Sequence, residues 1–208
     1  MITGAGSGLG REIALRWARE GWQLALGDVN DAGVAETLAM VREAGGSGFS
    51  YRCDVRDYSQ LTAFAQTCEE KFGGIDVIVN NAGIHDDAPM AGMSEAQWKR
   101  VIDVSLRGFF HVTQPLLLPM ARKRWGRIVS VSSVAAVTGN RGQTNYAAAK
   151  AGIVGMVRTW AMEMKKAGVT ANAVIPVAAT AMTKTVPYFA AAVEADERGE
   201  AMPDFFRR

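Results

Sequence analysis

Tyr146 and Lys150 stand four apart in a stretch of helical spacing, Asn145 to Ala167, so they share one face. A tyrosine phenol, with an ordinary pKa of about 10, is a poor base near neutrality. An ammonium one turn away favours the phenolate electrostatically. Ser133 ends an apolar, strand-like run and can hold a substrate oxygen while Tyr146 moves its proton. Together they suit proton transfer at an alcohol or a carbonyl. Each also has a plainer reading: a Tyr–Lys pair on a helix surface, and Ser132-Ser133 as a strand end.

A second group sits at the start of the chain. Thr3-Gly-Ala-Gly-Ser-Gly-Leu-Gly10 places glycine at 4, 6, 8 and 10, ahead of the amphipathic stretch Arg11 to Glu20. Such a turn lets a pyrophosphate approach the backbone, and the following helix offers free N–H groups and the positive end of its dipole. Ser7 and Leu9, between the glycines, belong to the same cradle. The spacing departs from a strict G-x-G-x-x-G, and a flexible turn would read the same way. Asp28 tips the balance. It closes the next strand-like run, about 20 residues on, where a carboxylate hydrogen-bonds the hydroxyls of an adenosine ribose and repels a 2′-phosphate. The expected cofactor is therefore NAD(H) rather than NADP(H). An oxidised nicotinamide would also favour the Tyr146 phenolate. The plainer reading of Asp28 is a solvated cap ahead of Asn30 and Asp31.

The elements that must position these groups alternate. Strand-like runs fall at Trp22 to Gly27, Phe49 to Cys53, Asp76 to Asn80, Arg127 to Val131 and Val169 to Ile175. Helical spacing covers Asp31 to Ala44, Leu61 to Phe72, Glu95 to Lys123 and Asn145 to Ala167. Apolar runs without alternation suit strands covered on both faces. Repeated β–α units predict an α/β fold with a doubly wound parallel sheet, a Rossmann fold, in a single domain over 1–208. The start of the first strand and the last strand are not found, so the sequence reads as part of a longer protein.

Composition narrows the function. The chain of 208 residues is 49% apolar and 21% charged, with net charge +2. It has no basic stripe for nucleic acid and no apolar run of membrane-spanning length. A cytoplasmic protein is expected, without nucleic acid or membrane as partner. Arg122, Lys123 and Arg124 read as cations at a helix C-terminus. Cys53, Cys68, His85 and His111 match no metal spacing, and no metal is expected.

The motifs together resemble the short-chain dehydrogenase/reductase family in its compact single-domain form, alongside 3-oxoacyl-acyl-carrier-protein reductases and hydroxysteroid dehydrogenases. Thr3-Gly4-x-x-x-Gly8-x-Gly10 resembles its glycine signature. Asp54-Val55 is similar to its adenine-contacting pair, and Asn80-Asn81-Ala82-Gly83 to the motif that steadies the sheet and backs the cofactor. Tyr146-Ala-Ala-Ala-Lys150, with Ser133 thirteen residues upstream, matches its catalytic spacing. The resemblance implies hydride transfer between NAD(H) and a secondary alcohol or ketone. Tyr146 would be the acid/base. Lys150 would lower its pKa and bind the nicotinamide ribose, and Ser133 would orient the substrate oxygen. A homodimer or homotetramer is also implied, with Val101, Phe109, Val112, Met120, Val154, Val157 and Trp160 as apolar surface that equally suits packing on the sheet.

Two positions depart from the family pattern. Val104-Ser105-Leu106 carries serine where the family has an asparagine that holds a water in a proton relay. Ser105 is expected to support that relay less rigidly, slowing turnover without abolishing it. After the sixth strand, Pro176-Val177 replaces the usual Pro-Gly, while Thr180 and Met182 still resemble the following Thr-x-Met, with Thr180 on the carboxamide or phosphates. The stretch 178–208, with Met182, Val186, Tyr188, Phe189 and Phe205, suggests an apolar substrate loop for a hydrophobic ketone, steroid-like alcohol or acyl thioester. The segment after Gly83 (Ile84, His85) and residues Val134 to Gln143 are expected to line the substrate site; His85 could touch substrate, though a surface loop histidine is the plainer reading. Two rivals stand beside the enzyme. One is a non-catalytic nucleotide-binding regulatory protein on the same fold. The other is a ligand-free interaction module, which would leave the glycines, Asp28 and the Tyr–Lys spacing unexplained.

Overall fold

The computed structural model describes residues 1–176 and Arg198. Thr180, Met182 and the expected substrate loop lie outside the described residues. Residues 1–176 form one compact unit. Its elements run β1 (Ile2–Thr3), α1 (Gly8–Arg19), β2 (Gln23–Asp28), α2 (Asp31–Glu43), β3 (Ser47–Arg52) and α3 (Tyr58–Phe72). There follow β4 (Val77–Asn80), α4 (Glu95–Ile102), a π turn (Asp103–Arg107), α5 (Gly108–Lys123), β5 (Gly126–Val131), α6 (Ala135–Thr138), α7 (Thr144–Met164) and β6 (Val169–Val174).

The six strands form one sheet in the order β3-β2-β1-β4-β5-β6, and every pairing is parallel. The doubly wound sheet is as expected. Strand order reverses between β1 and β4, and a crevice opens there beyond the strands' carboxyl ends. Burial on both faces explains the unbroken apolar runs. In β4, Ile78 joins a core under α3, α5 and α7, while Val79 joins a second core under α1 and α2. Each fully buried side chain of this size is worth about 1.5–3 kcal/mol.

Val101, Phe109, Val112, Met120, Val157 and Trp160 are all buried within the subunit. They pack inward and supply no surface to a second copy. The helix read as continuous from Glu95 to Lys123 is interrupted by the π turn. Arg122 and Lys123 do occupy the last turn of α5, and Arg124 closes it in a left-handed conformation. No described helix is long and apolar enough to cross a membrane, and the described residues hold no cluster of metal-ligating side chains.

Candidate active site

The crevice begins at the glycine turn. A Cβ on Gly10 would run into the Gly4 carbonyl oxygen, so glycine there lets α1 start hard against the end of β1. Gly8 differs: its φ is +52° and a Cβ would meet nothing within 4 Å. It faces open space. Asn30, Asp57 and Ser94 cap α2, α3 and α4 with their side chains. At α1 the N-cap is Ser7, and no side chain bonds the first-turn N–H groups. Free donors, a dipole end and an open backbone form an anion cradle.

Asp28 ends β2 beside this cradle. Its Oδ2 accepts from the Gly6 N–H at 2.8 Å and its Oδ1 from the Asn30 N–H at 2.9 Å. Each oxygen keeps a lone pair for a ribose hydroxyl. The carboxylate thus also holds the glycine turn, and Asn30 rather than Asp28 caps α2. Sequence reasoning missed Arg11. It donates to the Gly6 carbonyl at 2.7 Å and to Thr37 Oγ1 at 3.0 Å, tying the turn to α2.

Across the crevice, Asn81 Nδ2 donates to the Thr3 and Gly4 carbonyls at 3.0 and 3.1 Å. Ala82 N–H reaches Thr3 Oγ1 at 3.4 Å. Asn80, fully buried, bonds Thr113 and Ser130, locking β4 to α5 and β5. The first sheet half is thereby stitched to the second where a dinucleotide would span them. Asp54 is occupied differently. Arg56 grips its carboxylate and holds it below the usual carboxylate range, so an adenine amino group would share it with a guanidinium. Val55 is buried, and its carbonyl meets His111 Nδ1 at 2.9 Å. Pro176 and Leu9 come together in an apolar groove beside α1, against Val131 and Val174. Burial pushes the Cys53 and Cys68 thiols up to about 12, which leaves them inert.

Ser133, Tyr146 and Lys150 converge at the other end. Strand β5 delivers Ser133, and the first turns of α7 carry Tyr146 and Lys150 on one face. The Ala135 N–H donates to Ser133 Oγ at 3.2 Å, leaving the hydroxyl proton free for the Tyr146 phenol. Burial holds that phenol above its ordinary pKa, the Ser133 hydrogen bond pulls it down, and the Asp87 carboxylate pushes it up. The lowering expected from Lys150 is not seen in the chain alone. Lys150 Nζ lies 5.5 Å from the Tyr146 ring centroid and donates to the Val131 carbonyl at 2.7 Å. Burial brings its own pKa down to about 8.

Ser105 is fully buried in the π turn, and its Oγ accepts from the Ile84 N–H at 3.2 Å. A Cβ on Gly83 would sit 3.5 Å from Ser105 Oγ and 3.6 Å from Lys150 Nζ. Serine and lysine therefore flank the same point of backbone. His85 is more enclosed than a surface loop residue. Its side chain is only 15% exposed, and its ring lies on that of Tyr146, centroids 4.2 Å apart. Its place directly after Asn-Asn-Ala-Gly-Ile was the available signal.

The short chain dehydrogenase family model matches residues 1–189. A 3-oxoacyl-[acyl-carrier-protein] reductase, FabG, of Thermotoga maritima is 42% identical over 188 residues, 90% of this chain and 76% of that protein. The short-chain reductase protein NovJ of Streptomyces niveus is 43% identical over 176 residues, 85% of this chain and 67% of that one. Among solved structures, an NAD+-bound xylitol dehydrogenase superposes with a TM-score of 0.82 at 33% identity, covering 84% of this chain and 68% of its own. The glycine cradle, the stitched crevice and the Ser–Tyr–Lys centre sit in a chain that belongs to the short chain dehydrogenase family of oxidoreductases.

Proposed function

We propose that this chain transfers a hydride between NAD(H) and a secondary alcohol or ketone, with Tyr146 as acid/base. The observation that carries the reading is the convergence of Ser133, Tyr146 and Lys150 at the crevice mouth, with a hydroxyl proton of Ser133 free for the phenol. Ser133 would hold the substrate oxygen, and Tyr146 would pass a proton to it or take one from it. Lys150, held by the Val131 carbonyl, would turn its remaining N–H groups toward a ribose hydroxyl and the phenol. Ser105 beside Gly83 would anchor a proton relay behind the lysine. The nicotinamide, when bound, supplies the hydride acceptor or donor.

The α1 cradle would bind the pyrophosphate through its first-turn N–H groups and Gly8. Asp28 would accept from the adenosine ribose hydroxyls, which favours NAD(H) over NADP(H). Asn81, Ala82 and Gly83 would back the cofactor, Asp54 and Val55 its adenine, and Pro176 and Thr180 its nicotinamide side. The relatives' names supply substrates to try first: 3-oxoacyl thioesters and polyols. The chain would assemble as a homodimer or homotetramer through apolar side chains that are exposed in the single subunit, Phe110 and Leu118 on α5 and Met162 on α7.

The test is a fluorescence titration with NADH and, separately, NADPH, on the wild-type chain and on Asp28→Ser. Wild type binds NADH more tightly, and the substitution weakens NADH about tenfold, as loss of a charged hydrogen bond requires. Tighter NADPH binding by the wild type would overturn the cofactor assignment while leaving the reaction class in place.

A further inference from the structure

The loop after Gly83 and the turn before α7 are laced together beside the catalytic tyrosine. The Gly142 carbonyl accepts the Ala88 N–H at 2.9 Å, and Asn145 Nδ2 donates to the Asp86 carbonyl at 2.9 Å. Between these ties lies a polar cluster centred on Gln143, which is 2% exposed. Its Nε2 donates to Asp87 Oδ2 at 2.8 Å and faces His85 Nδ1 at 3.0 Å. Its Oε1 accepts from Asn140 Nδ2 at 3.0 Å.

These contacts decide a tautomer. An ionised carboxylate only accepts, so the Gln143 atom facing Asp87 is the amide nitrogen. The same nitrogen faces His85 Nδ1, which must then be an acceptor. The single proton of the neutral ring therefore sits on Nε2. Asp87 Oδ1 lies 3.6 Å from Nδ1, beyond hydrogen-bond range. The carboxylate reaches the imidazole through the glutamine amide. The ring so fixed lies over Tyr146, centroids 4.2 Å apart and planes 32° from parallel.

We propose that His85 is a positioning residue for Tyr146: Asp87 and Gln143 lock its imidazole in the Nε2–H tautomer, tilted over the phenol ring, and this fixes the angle at which the hydroxyl meets the substrate. The inference rests on Tyr146 being the acid/base. The groups that face the imidazole are Asp87 on its own loop and Tyr146 and Lys150 on α7. Burial keeps the ring neutral, Asp87 opposes this, and the Lys150 ammonium reinforces it. Protonation at low pH turns Nδ1 from acceptor to donor. The Gln143 bond is then lost and a cation is set beside the phenol.

The chain has two histidines, so nitrogen-15 spectra of the imidazoles are readily assigned with His85→Gln. The expected result is an Nε2–H neutral ring in wild type. Gln143→Leu removes the amide donor from both groups and leaves the Asp87 carboxylate as the acceptor nearest Nδ1, so the proton moves to Nδ1. An Nδ1–H ring in wild type, or no change in Gln143→Leu, overturns the proposal. His85→Ala is expected to lower kcat about tenfold with KM unchanged, as a misaimed acid/base would. It should also shift the Tyr146 phenolate titration, isolated by difference against Tyr146→Phe. An unmoved titration and an unmoved kcat overturn it as well. If Tyr146→Phe stays active the acid/base reading fails instead, and the imidazole spectra and phenolate titration still decide the role of His85.

Discussion

At the phosphate end of the crevice the working groups are backbone N–H donors and one carboxylate, held by residues that lie close in sequence. At the catalytic end they are side chains drawn from β5, the π turn, the loop after β4 and α7, and one of them is an ammonium 3% exposed to solvent. The first arrangement relieves strain and leaves donors free at little cost. The second buries charge and polar groups, which is expensive unless every partner is in place. On the proposed assignment, binding would fall to the half of the site that costs little to build and chemistry to the half that buries charge.

The sharpest way to break that division is Tyr146→Phe. We expect turnover to fall about a thousandfold, the middle of the range for a lost acid/base, with NADH affinity unchanged by titration. A comparable loss of affinity would mean that the two ends are not separable. Gly10→Ala attacks the other end. Its methyl group would meet the Gly4 carbonyl, and we expect about 3 kcal/mol of lost stability in denaturant unfolding, together with lost NADH binding. A variant as stable as wild type would deny that close approach at Gly10 shapes the turn.

Lys150→Met inverts the expectation for the catalytic end. The Lys150 pKa falls from 10.5 to about 8 on folding, so the unfolded chain binds the extra proton between those values. Wild-type stability should therefore rise with pH across that window, and below it the full desolvation cost is borne. At pH 7 we expect Lys150→Met to be inactive yet more stable by about 2 kcal/mol, the desolvation less the hydrogen bond to Val131. The advantage should shrink as pH climbs through the window. A destabilised variant would show that the ammonium is better satisfied than its burial suggests. The smallest effect is at Ser105. Ser105→Ala leaves the Ile84 N–H without its acceptor, for about 1 kcal/mol of stability. Ser105→Asn should raise turnover, and an unchanged rate and pH profile would discard the relay.

The same division governed what could be read in advance. The glycines, Asp28, Asn81 and the four-residue spacing of Tyr146 and Lys150 are local patterns, and a local pattern carries its geometry with it. The parallel sheet followed from apolar runs that do not alternate. Less visible was anything built between distant segments. His85 reads as a surface residue because nothing nearby reveals that Gln143, 58 positions away, will help enclose it. Phe109, Val112 and Trp160 have apolar spacing that suits the sheet or a second subunit alike, and only packing settles which. The influence of Lys150 on Tyr146 was read from charge alone, whereas burial acts on both groups first.

The π turn at Asp103–Arg107 has a consequence for how this chain can change by insertion and deletion. One residue more or less in a helix turns everything beyond it by about 100°. Upstream, α4 is anchored by Val101; downstream, Gly108 rests on Val55, where a Cβ would come within 2.8 Å of a methyl group. The π turn takes up one residue more than an α turn, so it absorbs that rotation locally. A single-residue deletion here that restored an unbroken α-helix would leave Phe109, Val112 and Met120 on the core and would instead carry Ser105 away from Gly83. The extra residue thus shapes the candidate site and not the core.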